Sequence, residues 1–432
     1  MRRRQFLGAV MSSTILPKFA FGATPPFRLT AEPVQVQLLP SDSAATSMFG
    51  FNGSMPGPEL RLRQGERLKI DFQNNLTQGS SVHWHGLRIE NAMDGVPGLT
   101  QEVVNAGDSF QYDMAPPDAG TFWYHSHNVS QEQVAKGLVG ALIVDEINPP
   151  DVDHDVTVLI ADWRLLDGGA FDEEFGDLMS LSHGGRMGNY ARTFMSQETV
   201  KKGDRIRLRL INAAADRIFP LVLTGAIGKI VALDGMPLSE PRAFDNISLA
   251  PAQRADLIVD AVQDIEIGML TRGPTFPLGK LTIEGENTTR IASPIPLLPK
   301  NNVATPAQPS QNLTLTMMGG AMGNRHGGSD IWAFNDISGL PTEPFGSFSR
   351  GETARISLVN DTAFPHGIHL HGHHFNEVND DGSLGDLRDT ALVDAGKTTD
   401  ILCVFDNPGK WLFHCHMLSH QAAGMKTWIN VA

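Results

Sequence analysis

Cysteine, tyrosine and positive charge are scarce in this chain. Its 432 residues include two cysteines and three tyrosines, so a disulfide framework cannot be what stabilises it. No run of 18 or more apolar residues follows the N-terminal segment, and a membrane-spanning helix is therefore not expected. Lys and Arg number 34 against 48 Asp and Glu, for a net charge of -14. That balance argues against binding to nucleic acid or to anionic lipid.

The first 23 residues differ from the rest. A basic start at Arg2–Arg4 is followed by apolar and small residues up to Ala23, a pattern typical of a secretory signal. Paired arginines followed by Phe6 and Leu7 resemble a bacterial twin-arginine signal, which is read as an address and not kept as an anchor. The sequence therefore predicts a signal peptide at 1–23, export of the folded protein by the twin-arginine machinery, a periplasmic location and no membrane anchor.

One strand pattern occurs three times, at 65–74, 203–212 and 351–360. Each copy begins with Gly and an acidic residue, continues with apolar residues at every second position, and has Asn nine positions after the Gly. A period of two indicates strands with one buried face, as in a β-sandwich. The sequence predicts an all-β chain made of a first module (24–147), a second module (148–290), a proline-rich linker (291–311) and a third module (312–432).

Histidines recur in register with this repeat. Eighteen residues after Gly65 comes His83-Trp84-His85, and eighteen after Gly351 comes His369-Leu370-His371, whereas the second module has no histidine at this offset. The first and third modules also share a Gly five residues before a later His-x-His string, 125–127 and 414–416. Histidines two apart on a strand face the same way. The first and third modules are therefore predicted to pool imidazoles, with the second as a spacer.

The string 414–425 adds sulfur. It contains Cys415, His420 and Met425, and one Cys with two His and an axial Met is the ligand set of a blue-copper electron-transfer site. If 414–416 is extended, Cys415 faces away from its two histidine neighbours, so that one tripeptide contacts two different metal sites. Cys403 lies in an apolar run and is predicted to be a buried structural thiol, which leaves no disulfide.

The strings 83–85, 125–127, 366–371 and 414–425 resemble the four copper-binding segments of three-domain multicopper oxidases, the family of laccases, bacterial copper-efflux oxidases and ferroxidases. The resemblance covers essentially all of the chain after residue 23. It implies three cupredoxin-like Greek-key β-sandwich domains and four copper ions, with a trinuclear cluster between the first and third modules. By position it assigns type 1 copper to His366, Cys415, His420 and Met425, type 2 copper to His83 and His369, and the binuclear type 3 site to His85, His125, His127, His371, His414 and His416.

The resemblance also implies an acid near the trinuclear cluster. Asp94 lies nine residues after His85 and is predicted to be a proton relay that also orients a ligand; a turn-capping role before Gly95 is the alternative. Many relatives carry a carboxylate in or just after the terminal string, where this chain has Leu418, Ser419 and Gln421. The sequence leaves open which acid replaces it.

The implied activity is one-electron oxidation of a donor at type 1 copper, with Cys415 passing electrons on, coupled to four-electron reduction of dioxygen to water. The donor is phenolic or Cu(I). The Met-rich segment 317–328, which includes His326, is predicted to be a loop, and it motivates a cuprous-oxidase role in copper tolerance because thioethers prefer Cu(I). Axial Met425 predicts a low-to-moderate type 1 potential. A non-catalytic structural relative in cell division is a further alternative, which the complete set of ligands disfavours. A monomer is expected.

Overall fold

The computed structural model describes residues 26–290, 293–321 and 330–432, together with the backbone of 18–20. Most of the predicted signal segment therefore lies outside the described residues, as do Met322 and His326 of the Met-rich segment. Strands dominate the described ranges, and the helices there are five or six residues long, apart from one turn of 3-10 helix. None of these helices is long and apolar enough to cross a membrane.

The first module forms two sheets that bury one core. The backbone of β1 (Lys18–Ala20), within the predicted signal segment, pairs in parallel with β4 (Glu59–Arg63) of this module. The module's own elements are β2 (Phe27–Val36), β3 (Thr46–Phe51), β4 (Glu59–Arg63), β5 (Leu68–Asn74), β6 (Val82–His85), a 3-10 helix (Asn91–Met93), β7 (Ser109–Met114), β8 (Gly120–Ser126), α1 (Ser130–Ala135) and β9 (Val139–Asp145). The strand orders are β1-β4-β9-β8-β6 and β3-β2-β5-β7. Between the sheets lies a core that includes Trp84, Phe122 and Tyr124, whose burial is the main stabilising contribution of this module.

The second module forms one nine-stranded sheet around an aliphatic core. Its elements are β10 (His154–Trp163), α2 (Leu178–Ser182), β11 (Tyr190–Met195), β12 (Thr199–Lys202), β13 (Arg205–Asn212), β14 (Phe219–Leu233), β15 (Met236–Arg242), β16 (Ile247–Leu249), β17 (Arg254–Met269) and β18 (Phe276–Glu286). The main path is β11-β10-β13-β17-β14-β15. Helix α2 lies within the long connection between β10 and β11.

The third module again forms two sheets over a shared core. Its elements are β19 (Gln311–Gly319), β20 (Trp332–Phe334), β21 (Gly346–Phe348), β22 (Glu352–Asn360), β23 (His366–Leu370), β24 (Phe375–Val378), β25 (Leu384–Arg388), β26 (Thr390–Val393), β27 (Thr398–Phe405), β28 (Gly409–Cys415), α3 (Leu418–Ala422) and β29 (Lys426–Val431). The strand orders are β20-β19-β22-β27-β24-β25 and β21-β29-β28-β23-β26.

The predicted loop at 317–328 begins as a strand. Residues 317–319 belong to β19, and Met317 is fully buried in the core of the third module. The period-two alternation of Leu313 and Leu315 continues to Met317, which pairs in register with Asn360 of β22. Interpreting the whole segment as a loop was therefore wrong at its start, because the glycines that follow hide how far the strand pattern extends.

The repeated asparagines perform the same structural role in all three modules. The Oδ1 atoms of Asn74, Asn212 and Asn360 each accept the backbone N–H two residues later at 3.0 Å. Each side-chain amide also donates to at least two backbone carbonyls that lie further along the chain. These bonds fix the turn that follows the strand. In the first and third modules that turn leads into β6 and β23, which carry histidines.

Candidate metal centre

Strand register brings the predicted histidines together. In the first module β6 pairs with β8 so that His83 lies opposite His125, and in the third β23 pairs with β28 so that His369 lies opposite His414. The two strand pairs face each other across a seam, where the ring of His83 stacks on that of a third-module histidine, His371, at a centroid distance of 3.9 Å. We call the buried set the seam cluster: His83, His85, His125, His127, His369, His371, His414 and His416.

Hydrogen bonds determine which ring nitrogen points into the seam cluster. Nδ1 of His414 donates to the Cys415 carbonyl at 2.9 Å, and Nδ1 of His371 donates to an Asp94 carboxylate oxygen at 3.0 Å. Because each Nδ1 carries the proton, each Nε2 holds a lone pair. These two Nε2 atoms lie 3.1 Å apart. Burial lowers the pKa of both rings well below the usual range, which favours neutral rings whose lone pairs are free to bind a metal ion.

Several other nitrogens in the seam cluster also lack partners. Within the part of the chain that the structure describes, no hydrogen bond reaches His83 Nε2, His85 Nδ1, His127 Nε2, His369 Nε2 or His416 Nδ1, all of them buried. Such orphaned atoms are costly in a folded protein unless a ligand satisfies them. Groups of three imidazoles here have their nitrogens within 4.8 Å of one another. The seam cluster therefore suits more than one metal ion, and neutral imidazole is a ligand that copper favours.

A second set, which we call the sulfur cluster, lies within the third module and consists of His366, Cys415 and His420. The two Nδ1 atoms are 3.0 Å apart, and Sγ of Cys415 is 3.7 and 3.8 Å from them. Nε2–H of His420 donates to the His183 carbonyl at 2.6 Å, so its Nδ1 carries a lone pair directed at the sulfur. Burial lowers the pKa of His420 to about 4.

The third module also contributes two buried sulfur-containing side chains, Cys415 and Met425. Burial raises the pKa of the Cys415 thiol, so a thiolate forms here when a cation compensates its charge. Met425 is fully buried, and its backbone carbonyl accepts from the N–H of Cys415 at 3.0 Å. Cys415 lies between His414 and His416 in sequence, so one tripeptide contributes to both clusters. Cys403 is a free, buried thiol, as predicted.

Two buried acids contact the seam cluster. Asp94, which the sequence singled out, lies 3.3 Å from His83 Nδ1 and 3.0 Å from His371 Nδ1, so it touches both modules. Burial raises the pKa of its carboxyl group, against the opposing effect of His83. The second acid, Asp389, was not predicted from the sequence. Its Oδ1 lies 3.3 Å from His85 Nε2.

Asp389 is held by a residue of the second module. Arg254 donates to its two carboxylate oxygens at 2.9 and 2.7 Å, and also to the Thr121 carbonyl of the first module at 3.1 Å. Burial alone would raise the pKa of Asp389, but the guanidinium overrides this and holds it well below its usual range. The arginine thereby joins all three modules behind the histidines. Sequence offered no signal for this pairing, since the partners are 135 positions apart.

Comparisons with known proteins agree with this geometry. Multicopper oxidase family models match residues 33–149, 179–268 and 306–432. A laccase of Trametes hirsuta is 30% identical over 89% of this chain and 86% of its own length. The multicopper oxidase MmcO of Mycobacterium tuberculosis is 29% identical over 95% of this chain and 87% of its own. The crystal structure of Lac15 from a marine microbial metagenome is 55% identical, covers 94% of this chain and 100% of that chain, and superposes with a TM-score of 0.83.

The likeness to solved multicopper oxidases extends over nearly the full chain, which establishes the cupredoxin-like fold predicted from the sequence. Two buried clusters of histidines, one of them with a cysteine, could bind metal ions, and the family implies that the metal is copper. The chain belongs to the multicopper oxidase family, and it is an oxidoreductase that couples oxidation of an electron donor to reduction of dioxygen.

Proposed function

We propose that the enzyme holds four copper ions with the ligands assigned by position. Type 1 copper would be bound in the sulfur cluster together with Met425, type 2 copper by His83 and His369, and the type 3 pair by the other six imidazoles of the seam cluster. The observation that carries this is the pair of facing lone pairs on His371 and His414, 3.1 Å apart. Copper held in the sulfur cluster would supply one-electron transfer, and copper held in the seam cluster would supply the four-electron reduction of dioxygen to water.

Burial and two carboxylates set the protonation states that metal binding and proton transfer require. Burial keeps the imidazoles neutral and therefore able to bind metal, and it excludes bulk water from both clusters. Asp94 would serve as the proton relay, because its raised pKa lets the carboxylate take up a proton nearer to neutral pH than an exposed Asp does. Asp389, kept ionised by Arg254, would instead orient His369, whose Nδ1–H its backbone carbonyl accepts at 2.8 Å.

For the donor we propose an aromatic, laccase-type substrate rather than Cu(I). The Trametes relative is named a laccase. Of the thioethers that motivate a cuprous-oxidase role, Met317 is fully buried in the core and cannot reach solvent, while Met318 is partly buried. The described residues therefore give little support to a soft cation site at 317–321.

We also propose the cellular setting and domain division predicted from sequence. The pattern of residues 1–23 supports a twin-arginine signal, export by that machinery and a periplasmic enzyme, which we propose acts as a monomer. The domain boundaries at 147/148 and 290/291 are supported by the sheets, because no sheet of the described residues takes strands from both sides of either boundary. We propose 311/312 as the end of the linker, although β19 already begins at Gln311.

The test is copper loading followed by oxygen uptake. We expect four copper ions per chain by metal analysis, the blue absorption of type 1 copper, and distinct type 1 and type 2 signals by electron paramagnetic resonance. Steady-state oxygen uptake should then be faster with a phenol than with Cu(I) or Fe(II). A loaded protein that binds fewer than three copper ions or lacks blue absorption contradicts the ligand assignment, and faster uptake with Cu(I) contradicts the donor class.

A further inference from the structure

The sulfur cluster is covered by residues 177–187 of the second module, which we call the cover. The ring of His420 is fully buried. Its Nδ1 faces Cys415, and its Nε2–H already donates to the carbonyl of His183 in the cover at 2.6 Å. Both ring nitrogens are therefore committed, so a donor molecule has no free hydrogen-bonding atom of this histidine to approach.

The cover is fixed by bonds to the third module and to the rest of the second module. The indole N–H of Trp332 in the third module donates to the Leu181 carbonyl at 2.6 Å. Asp216, which is 1% exposed, accepts from the backbone N–H of Arg186 in the cover at 2.9 Å and from the N–H and hydroxyl of Ser419 at 2.9 and 2.7 Å. Because Ser419 precedes His420, one buried carboxylate ties the cover to the ligand helix α3.

The cover exposes three large apolar side chains. Leu178, Met179 and Met187 are 60%, 63% and 43% exposed, and we call these three side chains the apolar patch. Exposed apolar residues that occur singly need no explanation, whereas three on one short segment point to an interaction site. Glu174, three residues before the cover, is exposed and acidic, whereas Glu173 is ion-paired with Lys136 at 2.8 Å, and the chain as a whole is negative. The patch therefore favours a molecule that is apolar and neutral or cationic.

We propose that the electron donor docks on the apolar patch and delivers its electron through the hydrogen bond between the His183 carbonyl and His420, without touching the histidine itself. This inference rests on the proposed function. It specifies the donor as a neutral or cationic aromatic molecule and disfavours anions. Each donor loses one electron, and a phenol also releases its hydroxyl proton to solvent. Four electrons and four protons convert one dioxygen into two water molecules.

The principal test removes the apolar patch without disturbing the copper ligands. In the double variant Met179→Ser/Met187→Ser we expect the KM for dimethoxyphenol to rise about tenfold, equivalent to about 1.4 kcal/mol, because two partly buried thioethers no longer contact the ring. The kcat, the blue absorption and the type 1 paramagnetic signal should not change. A matched control, Ile147→Ser/Ile227→Ser, removes two side chains that are 73% and 70% exposed elsewhere, and its KM should equal that of the wild type.

Two further variants test the charge at the apolar patch and the position of the cover. Leu178→Lys should lower the KM for ferrocyanide, an anionic donor, several-fold while leaving its blue absorption unchanged. Gly185 has φ +87°, and a Cβ at this position would overlap Asp216. Gly185→Ala should therefore displace the cover, shift the type 1 potential and its paramagnetic signal, and favour small phenols over bulky donors.

The outcomes distinguish failure of the docking proposal from failure of the proposed function. If the wild type is blue and active but the KM for dimethoxyphenol is unchanged in Met179→Ser/Met187→Ser, the docking proposal is overturned and the proposed function is not. If this variant loses Cu(I) oxidation while its phenol oxidation is unchanged, the aromatic docking proposal is overturned and the two thioethers are a Cu(I) site. A copper-loaded wild type without blue absorption overturns the proposed function itself, and the inference with it.

Discussion

The seam cluster and the sulfur cluster are built in opposite ways. The seam cluster takes four imidazoles from the first module and four from the third, so it exists only while β6 and β8 face β23 and β28. The three groups of the sulfur cluster all belong to the third module, and the second module only covers them. Metal binding in the seam should therefore depend on how the modules dock, whereas metal binding at the sulfur cluster should survive small shifts between modules.

The tripeptide 414–416 is where the two clusters meet, and removing its sulfur should have the largest effect. Cys415→Ser deletes the thiolate but leaves all eight seam imidazoles in place. We expect loss of the blue absorption and a fall in oxygen uptake of about 10⁴-fold or more, equivalent to about 5.5 kcal/mol, because single electrons no longer enter. Metal analysis should still find the seam copper, with its type 2 paramagnetic signal.

The other cysteine supplies the control for this variant. Cys403 is equally buried in the same module, and its thiol lies 3.7 Å from the His374 carbonyl, away from both clusters. Cys403→Ser should cost about 1–2 kcal/mol of stability for burying a hydroxyl and should retain the blue absorption. If both variants lose the blue absorption, the sulfur ligand has been misassigned.

The dependence of the seam on docking can be tested at Arg254. Replacing it by Met removes one partner of a fully buried ion pair with Asp389, which should destabilise the protein by about 3–5 kcal/mol. We expect copper to be lost first from the seam cluster, while the blue absorption persists. Metal analysis and paramagnetic resonance during titration with a chelator would follow this order.

A matched variant separates docking from general stability. Arg205 is 3% exposed and ion-paired with Asp260 at 2.7 Å, and both residues belong to the second module. Arg205→Met should therefore lose stability without loosening the contact between the first and third modules, and it should release copper from both clusters together. An identical order of copper loss in the two variants would remove the distinction between the clusters.

The sequence predicted the features whose residues lie close together along the chain. Alternating strands, the asparagine turns and the His-x-His strings each span fewer than twelve residues, and the repeat showed which modules carry ligands. The pairing of Arg254 with Asp389 and the bridge made by Asp216 join side chains more than 130 positions apart, so nothing local marks them. The contribution of His183 comes from its backbone carbonyl, which any residue could supply, and no side-chain pattern reveals it.

The metal-free protein should lose stability in mild acid, and the seam cluster should dominate the loss. Burial lowers the pKa of His369 to about 3 and that of His420 to about 4. The unfolded chain binds protons at histidine below about pH 6.5, so between that pH and the folded values it binds more protons than the folded chain. The unfolding free energy therefore falls as the pH falls, by about 2 kcal/mol per buried histidine between pH 6.5 and 5.

Denaturant titration of the metal-free and copper-loaded forms at these two pH values would measure the effect. Copper occupies the lone pairs that protons would take, so the loaded form should change less with pH until acid displaces the metal. Equal pH dependence of the two forms would indicate that the buried histidines are not the metal ligands.

The smallest predicted effect distinguishes proton transfer from ligand orientation at Asp94. Asp94→Asn keeps an oxygen that can accept from His371 Nδ1–H and keeps the backbone carbonyl that His83 uses at 2.8 Å, but it cannot carry a proton. We expect normal copper content with a 10- to 100-fold fall in kcat, a range equivalent to about 1.4–2.7 kcal/mol. Asp118→Asn alters another buried acid of the first module, which is paired with Arg88 and makes no contact with the seam cluster in the described structure, and it should leave kcat unchanged. Copper loss in Asp94→Asn would instead show that the carboxylate holds the two modules' ligands in place, which would make it part of the same docking dependence that sets the seam cluster apart from the sulfur cluster.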